Sequence, residues 1–288
     1  MDCKTYEYKN IDDCSIMLDV YESGKSYSPA IVYIHGGGFI LGSRKDINKE
    51  QVELYTNNGY TVISIDYRLA PRTKLASIIQ DIKDAFEWIY DNASSVLSID
   101  AKKIAVIGSS AGGFLSLITG TFELKPNAIV SIYGYGDILS SWALNKSNFY
   151  LKRALVSKDE AYGSIAEEVI SEGNNYRFLF YMYCRQSGNW VSEITGHNTL
   201  MQKKRIKDLC PISKVDTHYP PTLFIHGDKD EDVPYAQSEI MYAELKQEGL
   251  QSKLIKISGG IHEFEKNMTR NQVKKVYESI LEFFKQHL

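Results

Sequence analysis

The sequence has few cysteines, little net charge and no apolar run long enough to cross a membrane. Its four cysteines, Cys3, Cys14, Cys184 and Cys210, form no Cys-x-x-Cys pair, so neither a disulfide scaffold nor a zinc site is indicated. The formal net charge of −3 gives no reason to expect a nucleic acid as partner. Because the first ten residues, "MDCKTYEYKN", are polar and unlike a signal peptide, we expect a cytoplasmic protein with free thiols.

Short β-branched runs alternate with helical patterns along most of the chain. The strand-like runs lie at residues 30–36, 60–67, 103–108, 128–134, 221–227 and 252–259. This alternation predicts an α/β fold with a mostly parallel central sheet and helices on both faces. The run "CSIMLDVY", before the first of these strands, predicts an antiparallel edge strand.

A serine flanked by glycines follows one of the buried strands. The apolar run 103–108 passes into Gly-Ser-Ser-Ala-Gly at 108–112, and Phe114, Leu115 and Ile118 then recur at helical spacing. Gly-x-Ser-x-Gly also occurs by chance in turns, but a strand that turns directly into a helix holds the central serine outward at a helix N-terminus. Ser110 is therefore the candidate nucleophile.

Three glycines follow the first predicted parallel strand, in "HGGGF" at 35–39. They could form only a flexible loop, yet they lie where ligands bind in open α/β sheets, at the carboxyl end of a strand. Glycine lets backbone N–H groups approach a ligand closely. Two of these N–H groups and that of Ala111 would form an oxyanion hole.

The chain offers six histidines as a general base for the serine. His35 belongs to the glycine loop, His226 ends an apolar strand, and His287 is next to the last residue. His197 and His218 lie away from any predicted strand end. His262 follows the last predicted strand in a glycine-containing loop that can reach the strand ends, so it is the strong candidate.

The acid that orients the histidine is expected in "HGDKDEDVP", which follows the preceding strand. Asp228, Asp230, Glu231 and Asp232 are all available there. Most acids in such a run face solvent, but one at a strand end fits the chain order Ser…Asp…His.

Four motifs in order, "HGGGF", "DYRLAP", "GSSAGG" and "HGDKDEDVP", followed by "GGIHEF", resemble α/β-hydrolases of the hormone-sensitive-lipase-like esterase group. The family spacing, with the aspartate three residues before Val-Pro, selects Asp230. The resemblance also implies that Gly37 and Gly38 join Ala111 as oxyanion donors. The residues of "DYRLAP", Asp66, Tyr67 and Arg68, are expected in a structural network.

The resemblance implies a serine hydrolase that cleaves carboxylic esters through an acyl-enzyme, with no metal and no organic cofactor. An amidase such as an arylformamidase and a small peptidase are the enzyme alternatives. A binding protein that kept the fold and lost turnover is the alternative from another class. The expected partner is a small-molecule ester, with no nucleic acid and no membrane span, and a homodimer is left open.

Residues 136–217 interrupt the alternation of strands and helices. They contain no buried strand pattern and are rich in Tyr, Trp, Phe and helix formers, which argues against disorder. We therefore expect one hydrolase domain over residues 1–288 with a helical cap insertion at 136–217. The cluster "YRFLFYMY" at 176–183 is the expected roof of the pocket, and such a roof would favour short acyl chains.

Overall fold

The computed structural model describes residues 3–11 and 13–288. Within them, one sheet contains eight strands in the order β1-β2-β4-β3-β5-β6-β7-β8. The strands are β1 (Lys4–Ile11), β2 (Cys14–Tyr21), β3 (Ser28–Ile34), β4 (Thr61–Ile65), β5 (Ile99–Ser109), β6 (Ala128–Ile132), β7 (Thr222–Gly227) and β8 (Ser252–Ile257). The strands from β4 to β8 across the sheet are parallel, whereas β1 and β2 form an antiparallel edge. The predicted α/β fold is confirmed.

Each predicted strand has a counterpart in the sheet, and the run "CSIMLDVY" coincides with β2. The largest difference is at β5, which begins at Ile99 rather than Lys103. The strand continues through polar residues because Ser28 of β3 pairs with Ile99 across an irregularity in the register. Apolar periodicity does not report such an extension, since Asp100, Ala101 and Lys102 between the buried Ile99 and the apolar run are partly or fully exposed.

Helices cover both faces of the sheet. They are α1 (Lys49–Asn57), α2 (Leu75–Asn92), α3 (Ala111–Thr119), α4 (Ser141–Leu144), α5 (Asn148–Leu151), α6 (Lys158–Gly163), α7 (Phe178–Ser187), α8 (Trp190–Thr195), α9 (Lys203–Lys207), α10 (Ala236–Gln247) and α11 (Asn271–His287). Successive side chains of a strand point to opposite faces, so the sheet separates two cores. Val32 and Ile34 pack with α2 and α3 on one face, and Ile31 and Tyr33 pack with α1 and α11 on the other.

Residues 136–217 form a series of short helices, α4 to α9, and no strand of the sheet. Trp190 stacks on Phe39 of the glycine loop, with ring centroids 6.1 Å apart, and Tyr135 packs against Trp142 and Trp190. These aromatic contacts join the segment to the sheet. No helix in the described part of the chain is both long and apolar enough to cross a membrane.

The residues of "DYRLAP" form polar contacts beneath the glycine loop. Asp66 accepts hydrogen bonds from the backbone N–H and the guanidinium of Arg44, and Arg68 binds Asp81 through two nitrogens. Tyr67 stacks on His35, and its hydroxyl donates to the carbonyl oxygens of His35 and Gly36. This motif therefore supports the loop and lies outside the cavity that contains Ser110.

Candidate active site

Ser110 lies on a sharp corner between β5 and α3, with backbone angles of φ 55° and ψ −120°. The corner brings Gly108 and Gly112 into contact. A Cβ on Gly108 would lie 2.3 Å from the carbonyl oxygen of Gly112, and a Cβ on Gly112 would lie 2.1 Å from that of Ile34. Since no side chain fits at either position, the two glycines of the motif are required by close packing.

Ser110, His262 and Asp230 form a continuous hydrogen-bonded chain. The Oγ of Ser110 lies 3.2 Å from Nε2 of His262, and Nδ1 of His262 lies 2.7 Å from Oδ2 of Asp230. Each residue follows the carboxyl end of a different parallel strand, namely β5, β8 and β7. The sheet therefore brings together three side chains that are up to 152 residues apart in sequence.

Asp230 is oriented from both sides. Its Oδ1 accepts the backbone N–H groups of Asp232 and Val233, both at 2.9 Å, and His226 Nε2 lies 3.4 Å from its Oδ2. Burial alone would raise the pKa of Asp230, but the contacts with His226 and His262 and the N–H of Val233 hold it well below its usual value. The carboxyl group therefore stays ionised beside the imidazole.

The charge of Asp230 acts on the imidazole in turn. Burial by itself lowers the pKa of His262, but the hydrogen bond to Asp230 and the negative charges of Asp232 and Asp230 raise it above its usual value. A raised pKa makes His262 a stronger base towards the hydroxyl of Ser110.

The other acids of the β7 loop have different partners. Asp228 accepts the backbone N–H of Gly259 at 2.7 Å, and Glu231 pairs with Lys152 on the surface. Asp232 is buried, and its carboxylate accepts hydrogen bonds from Tyr150 and Tyr181. Of the four acids left open by the sequence, Asp230 is the one that contacts His262.

The other candidate histidines are placed differently. His226 is fully buried and lies 2.8 Å from Ser238 Oγ and 2.9 Å from the carbonyl oxygen of Val233. His35 is also fully buried and contacts the carbonyl oxygen of Gly36 at 2.9 Å. His197, His218 and His287 do not line the cavity that contains Ser110.

The glycine loop leaves backbone donors free beside Ser110. Gly37 and Gly38 have φ angles of +97° and +61° and line the same cavity as Ser110. The carbonyl oxygen of Gly37 accepts the N–H groups of Ile40 and Leu41, which holds the loop in place. In the described part of the chain, the N–H groups of Gly37, Gly38 and Ala111 donate to no protein acceptor. Free donors at this position suit an oxyanion.

Ser110 and His262 open into a cavity of about 780 Å³. One group of its lining residues comes from residues 136–217 and is mainly aromatic: Phe149, Tyr150, Arg153, Asn175, Phe178 and Tyr181. A second group, mainly polar, comes from β3, the N-terminal end of α1, the end of β6 and the His262 loop, and includes Tyr33, Asn48, Gln51, Tyr133 and Glu265. We call these groups the aromatic side and the polar side.

Sequence reasoning missed several of these residues. Of the expected roof at 176–183, Phe178 and Tyr181 line the cavity, whereas Tyr176 is 60% exposed and does not. Tyr133 and Glu265 were not predicted. Tyr133 directly follows β6, and a polar residue just after a buried parallel strand is the signal that could have identified it.

The described residues contain no group of three or more His, Cys, Asp or Glu side chains that could hold a metal ion. The sheet order, the sharp corner at Ser110 and the hydrogen-bonded Ser-His-Asp chain are together typical of the α/β-hydrolase class. A sequence model of the BD-FAE family matches residues 18–245. The chain therefore belongs to the BD-FAE family, and its predicted resemblance to α/β-hydrolases is confirmed.

Solved structures share this fold over nearly the whole chain. A Staphylococcus aureus protein of unknown function superposes with a TM-score of 0.81 at 22% identity, covering 99% of both chains. An α/β-hydrolase superfamily protein of Enterococcus faecalis gives 0.77 at 23% identity, covering 99% of this chain and 98% of that one. Esterase 2 of Thermogutta terrifontis, solved with propionate bound, gives 0.69 at 21% identity and covers 97% and 94%.

Curated relatives are far longer than this chain. The non-reducing polyketide synthase atr1 of Stereocaulon alpinum is 29% identical over 301 residues, covering 90% of this chain. The synthase Preu6 of Preussia isomera is 27% identical over 302 residues and covers 92%. The chain spans only 12% and 14% of the lengths of these two synthases.

Proposed function

We propose that this protein is a serine hydrolase that cleaves carboxylic esters of short acyl chains through an acyl-enzyme. The observation that carries the proposal is the chain of contacts from Ser110 Oγ to His262 Nε2 at 3.2 Å and from His262 Nδ1 to Asp230 Oδ2 at 2.7 Å. A binding protein that had lost turnover would not need all three groups within hydrogen-bond reach.

In the first half of the reaction, Ser110 Oγ attacks the ester carbonyl while His262 Nε2 takes its proton. The N–H groups of Gly37, Gly38 and Ala111 stabilise the negative oxygen of the tetrahedral intermediate. The bond to the alkoxy oxygen then breaks, and His262 gives the proton to the leaving alcohol. In the second half, water attacks the acyl-serine with His262 again as base, and the acid and free Ser110 are released.

The aromatic side of the cavity supports a cap role for residues 136–217 and a limit on the acyl chain. The ring of Tyr181 lies against Gly38, where an added Cβ would be 2.6 Å from the ring. It therefore closes the space next to the proposed oxyanion site. The Thermogutta terrifontis esterase of this fold holds propionate, a short carboxylate, which agrees with a small acyl site.

A panel of leaving groups tests the reaction class. We expect nitrophenyl acetate and butyrate to be cleaved faster than nitrophenyl laurate, and faster than an aryl formamide or an aminoacyl anilide. The tetrahedral intermediate expels the alkoxide or phenoxide of an ester more readily than the amine of an amide. Faster cleavage of the formamide or the anilide would make the protein an amidase or a peptidase, and no turnover of any member would contradict the proposal.

A further inference from the structure

The polar side of the cavity contains a buried carboxyl group that the proposed reaction does not use. Glu265 is 5% exposed, although it lines the cavity beside Tyr33 and Tyr133. Its Oε1 accepts the hydroxyl of Tyr133, whereas its Oε2 is buried and has no partner in the described part of the chain. A buried acceptor without a donor costs free energy, so Oε2 indicates a missing hydrogen-bond donor.

This carboxyl group is close to the histidine that handles the leaving group. Glu265 follows His262 by three residues in the same loop. The ring of Tyr133, which holds Glu265, packs against the imidazole of His262 with centroids 4.5 Å apart. In the proposed reaction His262 gives its proton to the leaving oxygen, which would place the alcohol part of an ester on this side of the cavity.

The surroundings of Glu265 are built as a rigid polar pocket. Tyr33, Gln51 and Tyr133 are each at least nine-tenths buried, and Gln51 Nε2 is fixed by a 2.5 Å hydrogen bond to the hydroxyl of Tyr277. Burial raises the pKa of Glu265, and the hydrogen bond from Tyr133 opposes that rise. A donor on the substrate would act in the same direction as Tyr133 and favour the ionised carboxylate.

We propose that Tyr33, Gln51, Tyr133 and Glu265 form a subsite for the leaving alcohol, in which Oε2 of Glu265 accepts a hydrogen bond from a hydroxyl or ammonium group of that alcohol. This inference rests on the proposed ester hydrolysis and names the residue that selects the alcohol. A site built to bond a donor discriminates strongly against an analogue that lacks it, because its own polar group is then left unpaired.

Two matched pairs of acetate esters test the subsite on the full chain. The first pair is 2-hydroxyethyl acetate and 2-methoxyethyl acetate, which differ in the O–H donor. The second is protonated 2-(dimethylamino)ethyl acetate and acetylcholine, which share the positive charge but differ in the N–H donor. We expect kcat/KM for acetate release to favour the donor in at least one pair by roughly ten- to hundredfold, and the pair that responds identifies hydroxyl or ammonium.

Glu265→Gln should reduce that preference to about one. When the amide oxygen accepts from Tyr133, the NH₂ group takes the position of Oε2, and an NH₂ group cannot accept a hydrogen bond from the alcohol. Glu263→Gln is the matched control, since Glu263 lines the same cavity but is exposed and already pairs with Lys266 at 2.6 Å. It should keep the wild-type preference.

Ratios measured within each variant are independent of its overall rate, and thermal unfolding shows whether Glu265→Gln folds. If Glu265→Gln does not fold, the two wild-type ratios of kcat/KM still test whether the subsite recognises a donor. Ratios near one in both wild-type pairs, or a preference that survives Glu265→Gln, would overturn the subsite. If the subsite is overturned but wild-type protein releases acetate and Ser110→Ala does not, the proposed hydrolysis still stands. If no ester releases acetate, the hydrolysis itself is refuted.

Discussion

The groups that carry the proposed chemistry and those that form the aromatic side are held in different ways. Ser110, Asp230 and His262 each follow the carboxyl end of a parallel strand of the sheet, and hydrogen bonds join their side chains. Phe149, Tyr150, Phe178 and Tyr181 come from short helices and pack mainly against one another. Changes to the first set should therefore remove the reaction, whereas changes to the second should alter which acyl chains react.

Asp232 connects the two regions. It lies two residues beyond Asp230 in the β7 loop, and its carboxylate accepts the hydroxyls of Tyr150 and Tyr181 at 2.9 and 3.0 Å. Arg185 of α7 donates to its backbone oxygen at 3.2 Å. The loop that carries Asp230, the proposed triad acid, thus also holds two tyrosines of the aromatic side in place.

The largest effect is expected at Ser110. Ser110→Ala should lower esterase kcat by roughly 10⁵- to 10⁶-fold, because it removes the proposed attacking oxygen. The fold should be retained, as judged by circular dichroism and thermal unfolding. Ser109→Ala, one residue away, should remain an active esterase. Equal losses in the two variants would contradict the placement of the nucleophile.

Asp230→Asn should lower kcat by about 10⁴-fold, as an acid-to-amide change does where the carboxylate fixes the histidine tautomer. Asp228→Asn is the control, since Asp228 contacts the backbone N–H of Gly259 rather than His262, and it should lose far less activity. Steady-state kinetics with nitrophenyl acetate measures both. A comparable loss at Asp228 would show that the triad acid is misassigned.

The pH profile tests the interaction between Asp230 and His262. Below its pKa the imidazole is protonated and cannot take the proton of Ser110, so kcat/KM should rise with pH through that pKa. Because Asp230 raises the pKa of His262, this acidic limb should move to lower pH in Asp230→Asn. Asp228→Asn should leave the limb in place. A limb that stays fixed in Asp230→Asn would mean that another group controls it.

The smallest effect is expected on the aromatic side, where Phe178→Ala and Tyr181→Ala should each change acyl-chain preference by about tenfold. Removing either ring opens the cavity, so the ratio of kcat/KM for nitrophenyl octanoate over nitrophenyl acetate should rise. Tyr176→Ala is a matched control, because Tyr176 is in the same cluster but is 60% exposed. An unchanged ratio in both cavity variants would refute the role of this region as a cap.

The sequence predicts the functional residues at the strand ends better than it predicts those of the aromatic side. The reason is physical. Gly108 is required by its contact with the backbone of Gly112, four residues along the chain, and such a constraint leaves a local pattern. Tyr150 and Phe178 meet through the packing of separate short helices, and no local spacing encodes that contact. Glu265 was missed because it is bonded to Tyr133, which is 132 residues away, and no local pattern encodes that contact.

The most direct test of the account is covalent labelling of the nucleophile. The wild-type protein and the Ser109→Ala variant are treated with a small organophosphonate, and the adduct is located by intact mass and peptide mapping. One adduct on Ser110 in both proteins, and none in Ser110→Ala, is the predicted result. An adduct on Ser109, or one that persists in Ser110→Ala, would contradict the claim that the corner between β5 and α3 presents an activated serine.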